Sequence, residues 1–95
     1  MDDEIIDRIR EAADAVSLAD MMLRASDMEI AVHAAVYIAK ARALGFGMGE
    51  TFIMLRLRLL MAPRDAHGLV DAVIAELAEL TRGEMSNFVA RGGRR

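Results

Sequence analysis

Two histidines, His33 and His67, are the only side chains whose ordinary pKa lies near neutrality. His33 stands between Glu29 and Tyr37 at spacing i, i+4, i+8, which on a helix stacks a carboxylate, an imidazole and a phenol on one face. Such a column could ligate a metal or relay a proton. A metal needs three or four ligands, however, and neither a His-x-x-x-His nor a Glu-x-x-His pair is present to supply them. His33 is therefore expected at the rim of a bundle, bonded to Glu29. His67 follows Asp65 in the first turn of a helix, where Asp65 as N-cap accounts for the corner.

Other chemistries fare no better. Cysteine is absent, which removes disulfides, thiolate nucleophiles and thiolate metal sites. Nucleophilic catalysis needs a base beside a nucleophile, and the five Ser and Thr residues (Ser17, Ser26, Thr51, Thr81, Ser86) fall mostly at helix ends. Gly45, Gly47 and Gly49 lead into a helix start that could cradle an anion. No strand precedes them and no Lys follows at phosphate-loop spacing, so they read as a helix-to-helix turn. The expectation is a protein that is not an enzyme and holds no cofactor and no metal.

The basic residues are the next candidates. Arg56 and Arg58, with Lys40, Arg42 and Arg64, make the middle of the chain positive between acidic segments, residues 1–30 and 65–90. One reading is a contact for an acidic partner or a nucleic-acid backbone, formed by Lys40, Arg42, Arg56 and Arg58. The other, preferred here, is that long arginine stems reach out of a buried helix to pair with the acidic segments.

That buried helix organises the chain. From Thr51 to Ala62 the only charged side chains are Arg56 and Arg58, and residues two apart on a helix point about 200° away from each other, so neither side is left wet. A helix apolar nearly all round is covered on most sides, as the centre of a bundle or half of a subunit interface. Phe52, Met54, Leu57, Leu59 and Met61, with Tyr37 of the preceding helix, are the expected interface residues.

The elements that position these residues follow from periodicity. Ile5, Ile9, Ala12, Val16, Ala19 and Leu23 step by 4, 3, 4, 3, 4 along a first helix of about 3–25, with a kink possible at Ser17. Ser26 followed by Glu29 is a capping-box pattern, and Ile30, Ala34, Tyr37, Ala41 and Leu44 continue the spacing along a second helix of about 27–44, capped by Gly45. Phe46 is expected to pack back on the hairpin. The third helix covers 50–62 and stops at Pro63. A fourth runs over about 65–82 with Gly83 as its cap, a short fifth over 84–90, and 91–95 read as a disordered basic tail. The fold class is all-α, four to five helices in one domain over residues 1–90, completed by oligomerisation.

Ninety-five residues make a small domain that buries roughly 60–65% of its unfolded surface, yet 55% of the residues are hydrophobic. With three Phe, one Tyr and no Trp, that share is carried by small aliphatics and eight Met, which suit close helix packing and adaptable contact surfaces. No apolar run reaches the roughly 18 residues of a membrane span, and the acidic start is unlike a secretory signal. A cytoplasmic protein of a bacterium or its phage, with no membrane partner, is expected, and its alanine-rich, lysine-poor usage hints at a GC-rich genome.

Between Val32 and Leu60, Tyr37-Ile38, Ala41-Arg42 and Leu44-Gly45-Phe46 lead into the third helix. This stretch resembles the helix pair that follows the winged helix-turn-helix in MerR-family transcription regulators. The resemblance covers about a third of the chain and implies a dimer. Residues 1–31 depart from the family, with no helix-turn-helix, no wing and no DNA-contacting Arg and Tyr set, so no binding residue transfers. The functional expectation is a helical interaction protein that acts as a homo-oligomer by occupying a surface of another protein, as an inhibitor, anti-activator or assembly adaptor. The alternative is a small nucleic-acid-binding regulator.

Overall fold

The structure, a computed structural model, describes residues 2–61 and 72–93. These form five helices and no strand: α1 (Asp2–Glu11), α2 (Ala15–Arg24), α3 (Asp27–Ala43), α4 (Gly47–Met61) and α5 (Ala72–Ala90). The expected stop at Pro63, the cap at Asp65, and Arg64 and His67 lie outside the described residues.

The single first helix expected over 3–25 is two helices. The chain breaks at Ala12–Asp14, ahead of the kink placed at Ser17, because Asp14 adopts an extended backbone (φ −150°, ψ 176°) and its Oδ1 accepts the Ser17 N–H at 2.9 Å. That bond satisfies one of the N–H groups a helix start leaves free. Residues Ala25 and Ser26 alone separate α2 from α3, where the Ser26 hydroxyl accepts the Glu29 N–H at 3.2 Å as its spacing predicts.

The turn out of α3 is a Schellman cap. Gly45 takes φ +66°, its N–H bonds the Arg42 carbonyl at 3.1 Å, and the Phe46 N–H bonds the Ala41 carbonyl at 2.8 Å. Phe46 is thereby turned inward, where it stacks on Phe88 of α5 with ring centroids 5.2 Å apart. Helix α4 starts at Gly47, three residues before the expected boundary. Gly49 is already inside it, at a point where a side chain would meet the Phe46 ring.

Helices α3 and α4 form an antiparallel hairpin; α1 packs on α3, while α5 crosses α4 and α2. The core is drawn from all five: Ile9, Leu18 and Met22, Ile30 and Tyr37, Phe52 and Ile53, and Met85 are fully buried. Each such side chain contributes about 1.5–3 kcal/mol by leaving water. The cap expected at Gly83 and the separate fifth helix at 84–90 are replaced by one helix that runs straight through Gly83, held by Ala78 and Met85 on its buried side. Its cap is Gly92–Gly93. The Gly93 N–H bonds the Phe88 carbonyl at 2.9 Å and the Gly92 N–H the Val89 carbonyl at 3.0 Å, so Arg91–Gly93 are a helix cap rather than the start of a disordered tail.

Candidate functional site

The six residues expected at an interface divide by depth. Phe52 and Tyr37, each 1% exposed, are consumed by the chain's own core, and Leu57 and Leu59 are half-buried. Met54 and Met61 face outward, Met61 74% exposed. Two further exposed residues, which periodicity did not single out, are Met28 at 72% and Val32 at 56%. A signal for them exists in the sequence: Met28, Val32, Ala35 and Ala39 step by 4, 3, 4 just as the buried Ile30, Ala34, Tyr37 and Ala41 do, two residues out of phase and so on the opposite side of α3.

The rows left exposed are Met28, Val32, Ala35 and Ala39 on α3 and Met54, Arg58 and Met61 on α4, and a lateral pairing links the two helices, Arg42 with Glu50. In that pairing Arg42 Nε donates to Glu50 Oε1 at 2.7 Å, closing the hairpin at its turn end. The hairpin thus exposes methionines, Val32 and alanines, with Asp27 at the start of α3 and the Arg42–Glu50 pair at its turn.

The basic residues are not gathered into a patch. Lys40 Nζ donates to the Arg10 carbonyl at 2.7 Å, tying α1 to α3; Arg42 holds Glu50; Arg56, its side chain 11% exposed, donates to the Ala25 carbonyl at 3.1 Å and to Asp27. Only Arg58 of the four has no partner among the described residues. Three of the four thus bond other groups of the chain, but only Arg56 reaches a carboxylate of an acidic segment, Asp27; Lys40 takes a backbone carbonyl and Arg42 pairs with Glu50 within the middle segment.

On the far side of α3, the Glu29–His33–Tyr37 column meets a cleft of about 340 Å³ lined by Ile5, Arg8, Asp20, Met21, Arg24, Glu29 and Tyr37. Glu29 and Tyr37 open onto it. His33 is buried at a kink in α3, with non-helical φ −111° and ψ 15°, and makes no hydrogen bond to Glu29. Burial, and then the Glu29 carboxylate, push the Tyr37 phenol above its ordinary pKa, against the opposing pull of Arg8 and Arg56. Among the described residues no group of three His, Asp or Glu is placed to hold a metal ion, and no helix is long and apolar enough to cross a membrane.

Comparison with family models, with curated proteins and with solved structures finds no match to this chain, so the likeness of Val32–Leu60 to the MerR helix pair has no counterpart there.

Proposed function

We propose that this chain is a helical interaction protein rather than an enzyme, and that the outer face of the α3–α4 hairpin is where it binds a second copy of itself. The observation that carries the reading is the doubled apolar face of α3: one row is buried in the core, while its twin, with Met28 and Val32, stands in water, as do Met54 and Met61 of α4. Monomeric proteins seldom leave such patches uncovered. Alanines at 31, 35 and 39 keep bulk out of the space between helix axes, so a partner helix can approach closely. The face carries Asp27 at its start and Arg42 near its end, both mostly exposed. Asp27 is already paired with Arg56 and Arg42 with Glu50, so the apolar rows rather than these charges carry the contact between copies.

Such a dimer leaves Leu77 and Leu80 on α5, flanked by Glu76, Glu79 and Glu84, as the surface for a further protein. The expected mode is an amphipathic helix meeting a groove or basic face of its target. Light scattering over a wide concentration range tests the self-association. The expected result is a two-chain mass for the native protein and a one-chain mass for Val32→Asp/Met54→Asp, with circular dichroism unchanged. A native protein that stays at the one-chain mass at every concentration overturns the reading.

A further inference from the structure

The cleft between α1, α2 and α3 stands apart from the hairpin's outer face and does not depend on it. Its floor is Tyr37, whose ring completes the core while its hydroxyl makes no hydrogen bond to any described residue. The hydroxyl itself is not shut away, since among the described residues no buried side-chain nitrogen or oxygen lacks a partner, so it meets the cleft as an accessible donor. A ligand in the cleft can accept from it.

The charges around the opening narrow what that is. Asp20 and Arg24, one turn apart on α2, satisfy one another, with Arg24 Nε 3.1 Å from Asp20 Oδ2, and they cancel. Arg8 from α1 and Glu29 from α3 have no partner among the described residues, so the cleft presents one unmatched cation and one unmatched anion. Both line the same small volume. Ile5 and Met21 supply apolar wall between them. A volume of about 340 Å³ sits at the small end of ligand pockets, which run from roughly 300 to 1,000 Å³.

We infer that this cleft binds a small zwitterion of the α-amino acid class. The ligand carboxylate lies between the Arg8 guanidinium, whose fork suits it, and the Tyr37 hydroxyl, which donates to it. The ligand ammonium donates to Glu29, and an aliphatic side chain rests on Ile5 and Met21. A phenol is protonated at neutral pH with or without a shift, so the Tyr37 hydroxyl is a donor there.

The test is a titration of the native protein, followed by NMR, with three probes: L-leucine, L-leucinamide, which lacks the carboxylate, and N-acetyl-L-leucine, which lacks the ammonium. The expected result is millimolar leucine binding with shifts at Arg8, Glu29 and Tyr37, and at least about tenfold weaker binding of each analogue, since a site built to bond a polar group rejects a ligand without it. Arg8→Gln should abolish the preference of leucine over leucinamide and Glu29→Gln that over N-acetyl-leucine, with circular dichroism unchanged in both. Absence of leucine binding at millimolar concentration overturns the inference, as do equal affinities for all three probes. Tight N-acetyl-leucine binding also overturns it, in favour of a plain anion site. Light scattering on the same samples reports the dimer separately, so failure of one reading leaves the other standing.

Discussion

The guanidinium of Arg82 on α5 stands 5.6 Å from the centroid of the Phe52 ring on α4. Arg56 stands 5.7 Å from the same ring, so two cations converge on one buried aromatic, and the ring's electron-rich faces are what let like charges lie so near each other. Of the two, Arg56 has more to lose, because it also holds the Ala25 carbonyl and Asp27 across the α2–α3 junction.

Replacing Arg56 by Ala is expected to destabilise the fold by about 2–3 kcal/mol, chiefly because the Ala25 carbonyl is left without its donor. Arg82→Ala should cost about 0.5–1 kcal/mol, the scale of a cation–π contact on its own. Urea titrations of the two variants give the comparison. Equal losses would mean that the junction bond carries no weight.

Three glycine-to-alanine changes should differ in size and in sign. At Gly45 the space is open but φ is +66°, so alanine costs about 1–2 kcal/mol of backbone strain. At Gly49 the added carbon comes within 2.6 Å of the Phe46 ring, which is stacked on Phe88 and cannot swing freely; overpacking there costs about 1–3 kcal/mol. At Gly83 nothing described lies within 4 Å and the backbone is helical, so alanine stabilises by about 0.5–1 kcal/mol. Thermal melts of the three single variants read the order directly.

These positions also show how far the sequence could be read. Ser26 and Gly45 announced the limits of α3 because each cap is a local bond, made by the residue itself to a neighbour three or four positions away. The break before α2 was equally local, with Asp14 three residues ahead of Ser17. It was hidden by Ala12 and Ala13, which are good helix formers, and by an apolar seam whose 4, 3, 4 rhythm passes over the break without losing phase. Gly83 misled in the other direction: its propensity cost is about 1 kcal/mol, less than the packing of Ala78 and Met85 returns. At the candidate surface, Met54 and Met61 were legible as apolar residues in excess. The depth of Phe52 and Tyr37 was not, since which side of an all-apolar helix turns inward depends on where its neighbours lie.

Asp14 gives a pH dependence on the acid side. The Ser17 backbone N–H, followed by its side chain, holds the Asp14 carboxyl below its ordinary pKa. A group lowered in the folded state contributes its stability above the unfolded value and loses it as pH falls through the folded one. Asp14→Asn retains an oxygen acceptor for the cap but cannot titrate. Its stability should therefore fall less between neutral and acid pH than that of the native chain, as read by urea midpoints across that range.

Tyr37 gives the alkaline counterpart. Its pKa is raised, so its contribution is complete below the ordinary tyrosine value and is lost as pH climbs through the folded one. Tyr37→Phe should remove that alkaline loss. At neutral pH it should change stability by less than about 0.5 kcal/mol, because the hydroxyl it deletes has no bond to a described residue. Tyr37→Ala, by contrast, empties the core and should cost about 3–5 kcal/mol.

The cap that ends α5 reaches far back along the chain. Gly93, at φ +83°, lies so close to Val16 in the first turn of α2 that an added carbon would come within 2.5 Å of it. Nearly the whole length of the chain separates those two residues. During synthesis the α3–α4 hairpin, built from neighbouring segments, can form as soon as it leaves the ribosome, but α2 keeps one flank bare until Gly93 has followed. The entropy of closing that long loop is then spent last, and for roughly the final third of its emergence the nascent protein is an open hairpin awaiting its lid.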